Sequence, residues 1–202
     1  MQPVQKAFFL TYLREIQRWN RVVNLTGLRD EAGIIRSLFA AAALWPLPQE
    51  EPGGRFLDVG SGAGIPGIPL KILHPEGTWT LLERSRRKAS FLKHMAALLG
   101  LPGLHVVGAD LQELARDESW RGQFQVVVSR AALKLPRLVS SCLPLMSPGG
   151  VLITQKGEGF EQEIAQASGR CERFGGDLEG VQEILSPWGA RLRFVTIRRR
   201  GL

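Results

Sequence analysis

The chain has 202 residues, 44% hydrophobic and 22% charged, which suits one α/β domain with a short extension and leaves no room for wholesale disorder. Lys and Arg outnumber Asp and Glu by 26 to 19, a formal charge of +7, and such an excess favours a polyanionic partner, nucleic acid ahead of acidic lipid. No apolar run approaches the ~20 residues of a membrane span, and the charged N-terminus lacks a cleavable apolar leader, so no membrane partner and a cytoplasmic location are expected.

In chain order, Phe8, Phe9, Tyr12, Leu13, Ile16 and Trp19 recur at helical spacing and predict a first helix from Val4 to about Trp19, with its aromatics in the core. A turn follows over NRVVNLTGLRD. Asp30 is placed to cap a second helix running to Pro46, and PLPQEEPGG reads as a linker. An N-terminal helical extension over residues 1–48 and a core over 54–202 are the expected units.

Beyond the linker the rhythm changes. RFLDV, TWTLLE, LHVVGAD, FQVVVSR and VLITQKG read as strands. Helices are expected behind each: to about His74, from Ser85 to Gly100, over LQELARDESW, over LPRLVSSCLPLM before a PGG turn, and from about Phe160 to Phe174. Two last strands fit near VQEIL and RLRFVTIR, joined by SPWGA. The alternation predicts a doubly wound, mostly parallel sheet, and the short final connection makes the last strand antiparallel. Five βα units closed in this way form a Rossmann-like class I methyltransferase arrangement.

The two cysteines are too few for a disulfide framework and have no ligand-like spacing to histidine, so no metal is expected. Cys142 reads as a small core residue on an apolar helix, Cys171 as a surface or half-buried thiol, and His74, His94 and His105 as structural. The basic blocks RSRRK (84–88) and RLRFVTIRRR (191–200) are the candidate polyanion contacts.

The chemistry concentrates in RFLDVGSGAGIPG, residues 55–67. GAGIPG matches the dinucleotide fingerprint G-x-G-x-x-G literally, but the strand already ends at Val59 and Gly60 occupies the turn. In that register Ile65 stands where the third dinucleotide glycine belongs. The pattern is instead Asp58 followed by Gly60, Gly62 and Gly64. A carboxylate beside such a loop suits the ammonium of S-adenosylmethionine and would repel a pyrophosphate. Glu83 ends the next strand, 19 residues past Gly64, where a carboxylate can accept ribose hydroxyls. After the third strand, Asp110 either caps the following helix or borders an adenine.

The chain resembles the bacterial small-subunit ribosomal RNA methyltransferase G family, also called glucose-inhibited division protein B. The resemblance rests on Trp19-Asn20 with Asn24-Leu25-Thr26, on GSGAGIPGIPL, on Ser129-Arg130-Ala131 and on Gln155-Lys156-Gly157. It implies methyl transfer from S-adenosylmethionine to N7 of one guanine in 16S rRNA, free or in an assembling subunit, by a protein expected to be a monomer. By motif position Gly60, Ile65, Leu111, Gln112 and Arg130 would line the cofactor, together with Asp58, Gly62 and Glu83. Asn24, Arg36, Arg130 and Lys156 are the residues assigned to the RNA. N7 carries an in-plane lone pair, so no general base is required and no catalytic residue is named. SRAA after the fourth strand differs from the Asn/Asp-Pro-Pro-aromatic pattern of adenine amino-group enzymes, and neither cysteine follows a strand end as a cytosine carbon-5 nucleophile would.

The chain departs from the family at Arg36-Ser37-Leu38-Phe39-Ala40, where relatives usually carry histidine after the arginine and aspartate three residues later, and at Gln112, where an acid is common. The first departure motivates one rival, a catalytically weak RNA-binding homologue. The literal GAGIPG match motivates another, a nicotinamide-dependent (NAD) oxidoreductase. A small-molecule methyltransferase is a third, disfavoured by the charge.

Overall fold

The structure, a computed structural model, describes residues 1–48, 53–130 and 132–201. The middle of the expected linker and Ala131 of the Ser129-Arg130-Ala131 stretch lie outside the described residues. Seven strands form one sheet: β1 Arg55–Val59, β2 Thr78–Leu82, β3 Leu104–Val107, β4 Phe124–Arg130, β5 Met146–Lys156, β6 Gly176–Leu185 and β7 Arg191–Arg199. Their spatial order is β3-β2-β1-β4-β5-β7-β6. Pairs among β1 to β5 are parallel, while β7 runs antiparallel to both β5 and β6. The chain reverses its walk between β1 and β4, so the crevice outside the carboxyl ends of these strands is the place where such sheets bind ligands.

Helices α3 Gly67–Leu73, α4 Arg86–Leu99, α5 Leu111–Arg116, α6 Leu135–Cys142 and α7 Phe160–Arg173 follow the first five strands. Central strands are buried on both faces, which is why they read as Val- and Leu-rich runs without alternation. The cluster on one face joins Trp79, Phe91 and Val128 to Tyr12, Leu13 and Ile16 of α1 Pro3–Trp19. The N-terminal helix thus shares the apolar core of the sheet. Its start follows its chemistry: Pro3 at the first turn, and a reciprocal capping pair of Gln2 and Gln5. Helix α4 begins at the Ser85 cap and ends at Gly100 in the left-handed region.

Five expectations need correction. The second helix is one α-turn, α2 Glu31–Ile34, capped by Asp30 as expected, which then widens into a π-helical stretch, Ile35–Ala40; nothing in the residue pattern signals this. The helix expected over LQELARDESW breaks at Arg116, because the Asp117 carboxylate turns back to accept from Ser119 N (2.9 Å) and starts a separate 3-10 turn. The PGG turn lies inside β5, where the register slips between Phe124 and Val126 and Gly149 takes φ +77°. Strand β6 begins at Gly176, five residues ahead of VQEIL. Cys171 is also buried rather than at the surface, packed with Ala167 in the second core cluster.

Candidate cofactor site

The glycine loop is held on the sheet by its own backbone. Gly60 N and Ser61 N both donate to Leu82 O of β2 (2.9 and 3.0 Å), and Ser61 Oγ donates to Asp58 O (2.9 Å). Gly60, Gly62 and Gly64 have φ +70°, +58° and +87°, a region that strains any residue with a Cβ. Their spatial demands differ. A Cβ on Gly60 would meet Ala132 Cβ at 2.5 Å, and one on Gly64 would meet Ile68 Cδ1 at 2.5 Å and the Tyr12 hydroxyl at 2.8 Å. A Cβ on Gly62 would meet nothing nearer than Gly60 O at 3.8 Å, so this glycine faces open space.

Asp58 is fully buried beneath the loop. Its Oδ2 accepts from Gly67 N (3.0 Å), while Oδ1 has no partner. Burial pushes its carboxyl up from 3.8 to about 7, helped by the Glu83 charge and opposed by the Gly67 hydrogen bond and the Arg130 guanidinium. Glu83 bridges two backbones: Oε2 accepts from Gly62 N (2.9 Å) and Oε1 from Ser85 N (2.8 Å). Each oxygen keeps a further lone pair for an outside donor. Between these elements lies a cleft of about 160 Å³ bordered by Gly60, Glu83, Arg84, Asp110, Leu111 and Leu133. Asp110 both caps α5, accepting from Gln112 N (2.9 Å), and borders the cleft, so the two roles left open by the sequence coexist.

Of the expected cofactor residues, Gly60, Glu83 and Leu111 meet in the cleft, and Gly62 joins it through its bond to Glu83; Asp58 does not border the cleft but lies buried beneath the loop, bonded to Gly67 N and Ser61 Oγ. Arg130, at the end of β4, is half-buried beside Asp58 and Tyr12; burial lowers its basicity and those two groups restore part of it. Ile65 and Gln112 do not border the cleft: Ile65 is in the core, and Gln112 is exposed on α5. The buried, unpartnered Asp58 oxygen, the glycine surface open at residue 62 and the acceptor lone pairs of Glu83 fit a nucleoside that carries an ammonium group. Cys142, wholly buried and with its thiol pushed up to about 12 by burial, is no nucleophile.

Among the expected RNA residues, Asn24 and Arg36 are exposed. Lys156 is not. Its side chain is 6% exposed, and its ammonium donates to Leu133 O (2.9 Å) and Glu163 Oε2 (2.8 Å). Glu163 Oε2 also accepts from Leu135 N (2.7 Å), so the expected RNA lysine instead fastens the β4–α6 loop against α7. The basic C-terminal block is likewise engaged. Arg191 and Arg193 pair with Glu183, Arg198 with Glu179 and Arg200 with Asp177, all across the β6–β7 hairpin. A sequence reading counts these cations as free because their partners stand 8 to 23 residues away.

Sequence reasoning missed two organisers. Tyr12, the single tyrosine, donates its hydroxyl to Ala63 O inside the glycine loop. A buried tyrosine needs a partner for its hydroxyl, which was the available signal. Asn20 uses its whole amide on the following loop: Nδ2 donates to Thr26 O and Leu28 O (3.0 and 3.1 Å), and Oδ1 accepts from Leu25 N and Thr26 N (2.9 and 3.1 Å).

Strand order, the acid-glycine loop and the second-strand carboxylate define a Rossmann-like, S-adenosylmethionine-dependent methyltransferase. A methyltransferase of that kind from Aquifex aeolicus superposes with a TM-score of 0.60 over 82% of this chain and 92% of that one, at 15% identity. The rRNA small subunit methyltransferase G family matches residues 5–187, and the chain belongs to it. The ribosomal RNA small subunit methyltransferase G of Roseiflexus castenholzii is 39% identical over 94% of this chain and 80% of that protein. That of Lactobacillus delbrueckii subsp. bulgaricus is 31% identical over 98% and 84%. The nicotinamide oxidoreductase reading falls with this membership.

Proposed function

We propose that the chain transfers a methyl group from S-adenosylmethionine to N7 of a guanine in the 16S rRNA of the small ribosomal subunit. The observation that carries the reading is the buried, unpartnered Asp58 Oδ1 beside a three-glycine loop, in a chain of this family. The cofactor supplies a methyl group on a sulfonium. Asp58 orients the ammonium, Gly60 and Gly62 let the backbone approach, Glu83 accepts the ribose hydroxyls, and Leu111 covers the base. Arg130 keeps Asp58 ionised when the ammonium is bound. Ile65 shapes the loop from the core side, and Gln112 flanks the crevice from the first turn of α5.

With the cofactor held there, the N7 lone pair would form the new N–C bond as the C–S bond breaks, its electron pair staying on sulfur. Positive charge passes to the guanine. No proton moves in this step, so the chain has to align three atoms, a proximity effect. Asn24 and Arg36 are exposed RNA contacts, and Lys156 acts indirectly, by holding the loop that follows Arg130. Residues 1–48 serve as an extension that braces a core of 54–202. The reading takes the chain to act as a monomer in the cytoplasm; no helix among the described residues is long and apolar enough to cross a membrane.

Incubation with S-adenosylmethionine and small-subunit rRNA, followed by nucleoside mass spectrometry, tests the reading. One 7-methylguanosine per rRNA is expected. Its absence at saturating cofactor, with rRNA binding intact, would favour the catalytically weak homologue that Ser37 and Ala40 suggest. Ala40 borders an apolar cleft with Phe9 and Leu13, away from the cofactor residues.

A further inference from the structure

We infer that the adjoining outer faces of α1 and α4 form the surface on which the rRNA backbone docks, beside the cofactor crevice. This rests on the reading that rRNA is the acceptor. The two helices pack against each other: Glu15 Oε2 meets His94 Nε2 at 2.7 Å, the Trp19 ring lies 5.5 Å from those of Phe91 and His94, and the Tyr12 ring lies 6.4 Å from Phe91. Their solvent-facing stripes therefore adjoin. Arg14 and Arg18 stand four residues apart on α1, and Arg86, Ser90 and Lys93 recur at spacings of four and three on α4; all five are exposed.

Charge on this face is one-sided. Glu15, the acid between the stripes, is already bonded to His94, to Trp19 Nε1 (3.2 Å) and to Arg18 (3.6 Å). Arg14, Arg86, Arg87 and Lys93 have no ion-pair partner among the described residues. A face kept only for solubility would intersperse both signs. The first turn of α4 also carries Arg86, Arg87 and Lys88 and no acid. Cations there oppose the helix macrodipole, and a local rule broken in this way marks a surface under functional demand. Arg84, two residues earlier, borders the cofactor cleft, so the basic face runs into the site. The C-terminal strand, basic in sequence, is by contrast neutralised by the acids of β6.

The test is the salt dependence of binding to a protein-free small-subunit rRNA transcript. A triple variant, Arg14→Gln with Arg86→Gln and Lys93→Gln, removes three exposed cations and no cleft residue. The slope of log K against log salt should become shallower by about 2 to 3, at about 0.7 to 0.9 per lost phosphate contact. Affinity should fall at least about tenfold at low salt, while S-adenosylhomocysteine binding and thermal unfolding stay as in the parent. Arg191→Gln with Arg193→Gln should shift the slope by less than about one. A triple variant with the parent's slope and KM for rRNA, in a parent that methylates the transcript, overturns the docking face alone. A C-terminal variant that loses as much slope as the triple also overturns it. A parent that neither binds nor methylates the transcript overturns the proposed function, and the docking face with it.

Discussion

The Tyr12 hydroxyl of the first helix donates a hydrogen bond to the main-chain carbonyl of Ala63, inside the loop between β1 and α3. The ring is wholly buried, stacked on Phe39 with centroids 5.0 Å apart, and burial raises its hydroxyl pKa well above the ordinary value, so the group stays a donor across the working pH range. The loop that shapes the cofactor cleft is thus fixed from two sides, by Leu82 O of β2 and by the N-terminal helix.

Tyr12→Phe keeps the packing and strands one buried carbonyl, a loss of about 1 to 3 kcal/mol in unfolding free energy. S-adenosylhomocysteine affinity should fall as well, because the loop loses its brace. Denaturant unfolding and calorimetry measure the two effects. A stability loss with unchanged ligand affinity would reduce Tyr12 to a packing residue.

Asp58 sets a pH dependence whose sign follows from its burial. Its folded carboxyl is raised from 3.8 to about 7, so between these values the folded chain holds a proton that the unfolded chain releases. Stability of the cofactor-free protein should therefore fall as pH rises from about 4 to about 7 and then level off. Asp58→Asn should remove that slope. An ammonium ligand prefers the carboxylate, so S-adenosylhomocysteine affinity should rise with pH through about 7, with proton release seen as a buffer-dependent heat of binding.

Gly62 and Gly67 separate ligand space from fold space. Gly62→Ala places its Cβ where no protein atom lies nearer than 3.8 Å; the left-handed φ costs about 1 to 2 kcal/mol, and ligand affinity should fall far more than stability does. Gly67→Ala would drive its Cβ to 2.4 Å from Leu81 Cδ2 and 2.7 Å from Asp58 Oδ2. It should unfold more readily than Gly62→Ala, and comparing the two melting curves checks this.

The Lys156–Glu163 pair should behave as an internal clasp. Burial pushes the Glu163 carboxyl up, but the bonds from Lys156 and Leu135 N hold it below its ordinary value. Lys156→Met leaves Leu133 O and Glu163 without their cation and should lower unfolding free energy by about 2 kcal/mol. The salt slope of RNA binding should stay unchanged, which a free RNA-binding lysine would not allow.

Much of this architecture was legible because it is written in local signals. Alternating strands and helices, the Asp30 cap, the Gly100 helix end and Gly60 at the end of β1 each follow from neighbours within a few residues. Features that depend on distant partners were not. The Glu83 bridge to Gly62 spans 21 residues, Tyr12 reaches Ala63 across 51, and the β6 acids neutralise a strand that looks basic in isolation. Lys156 is the sharpest case: a lysine at the end of a strand reads as solvated until Glu163 and Leu133 are seen to enclose it. Lys71 follows the same logic, buried in α3 with its ammonium on Pro75 O and Gly77 O.

A crystal structure with S-adenosylhomocysteine tests the central claim most directly. The amino group should be bonded to Asp58 Oδ1, directly or through one water, with both ribose hydroxyls on Glu83 and the base against Leu111. A ligand bound elsewhere, or one in the cleft whose amino group is turned away from Asp58, would contradict it.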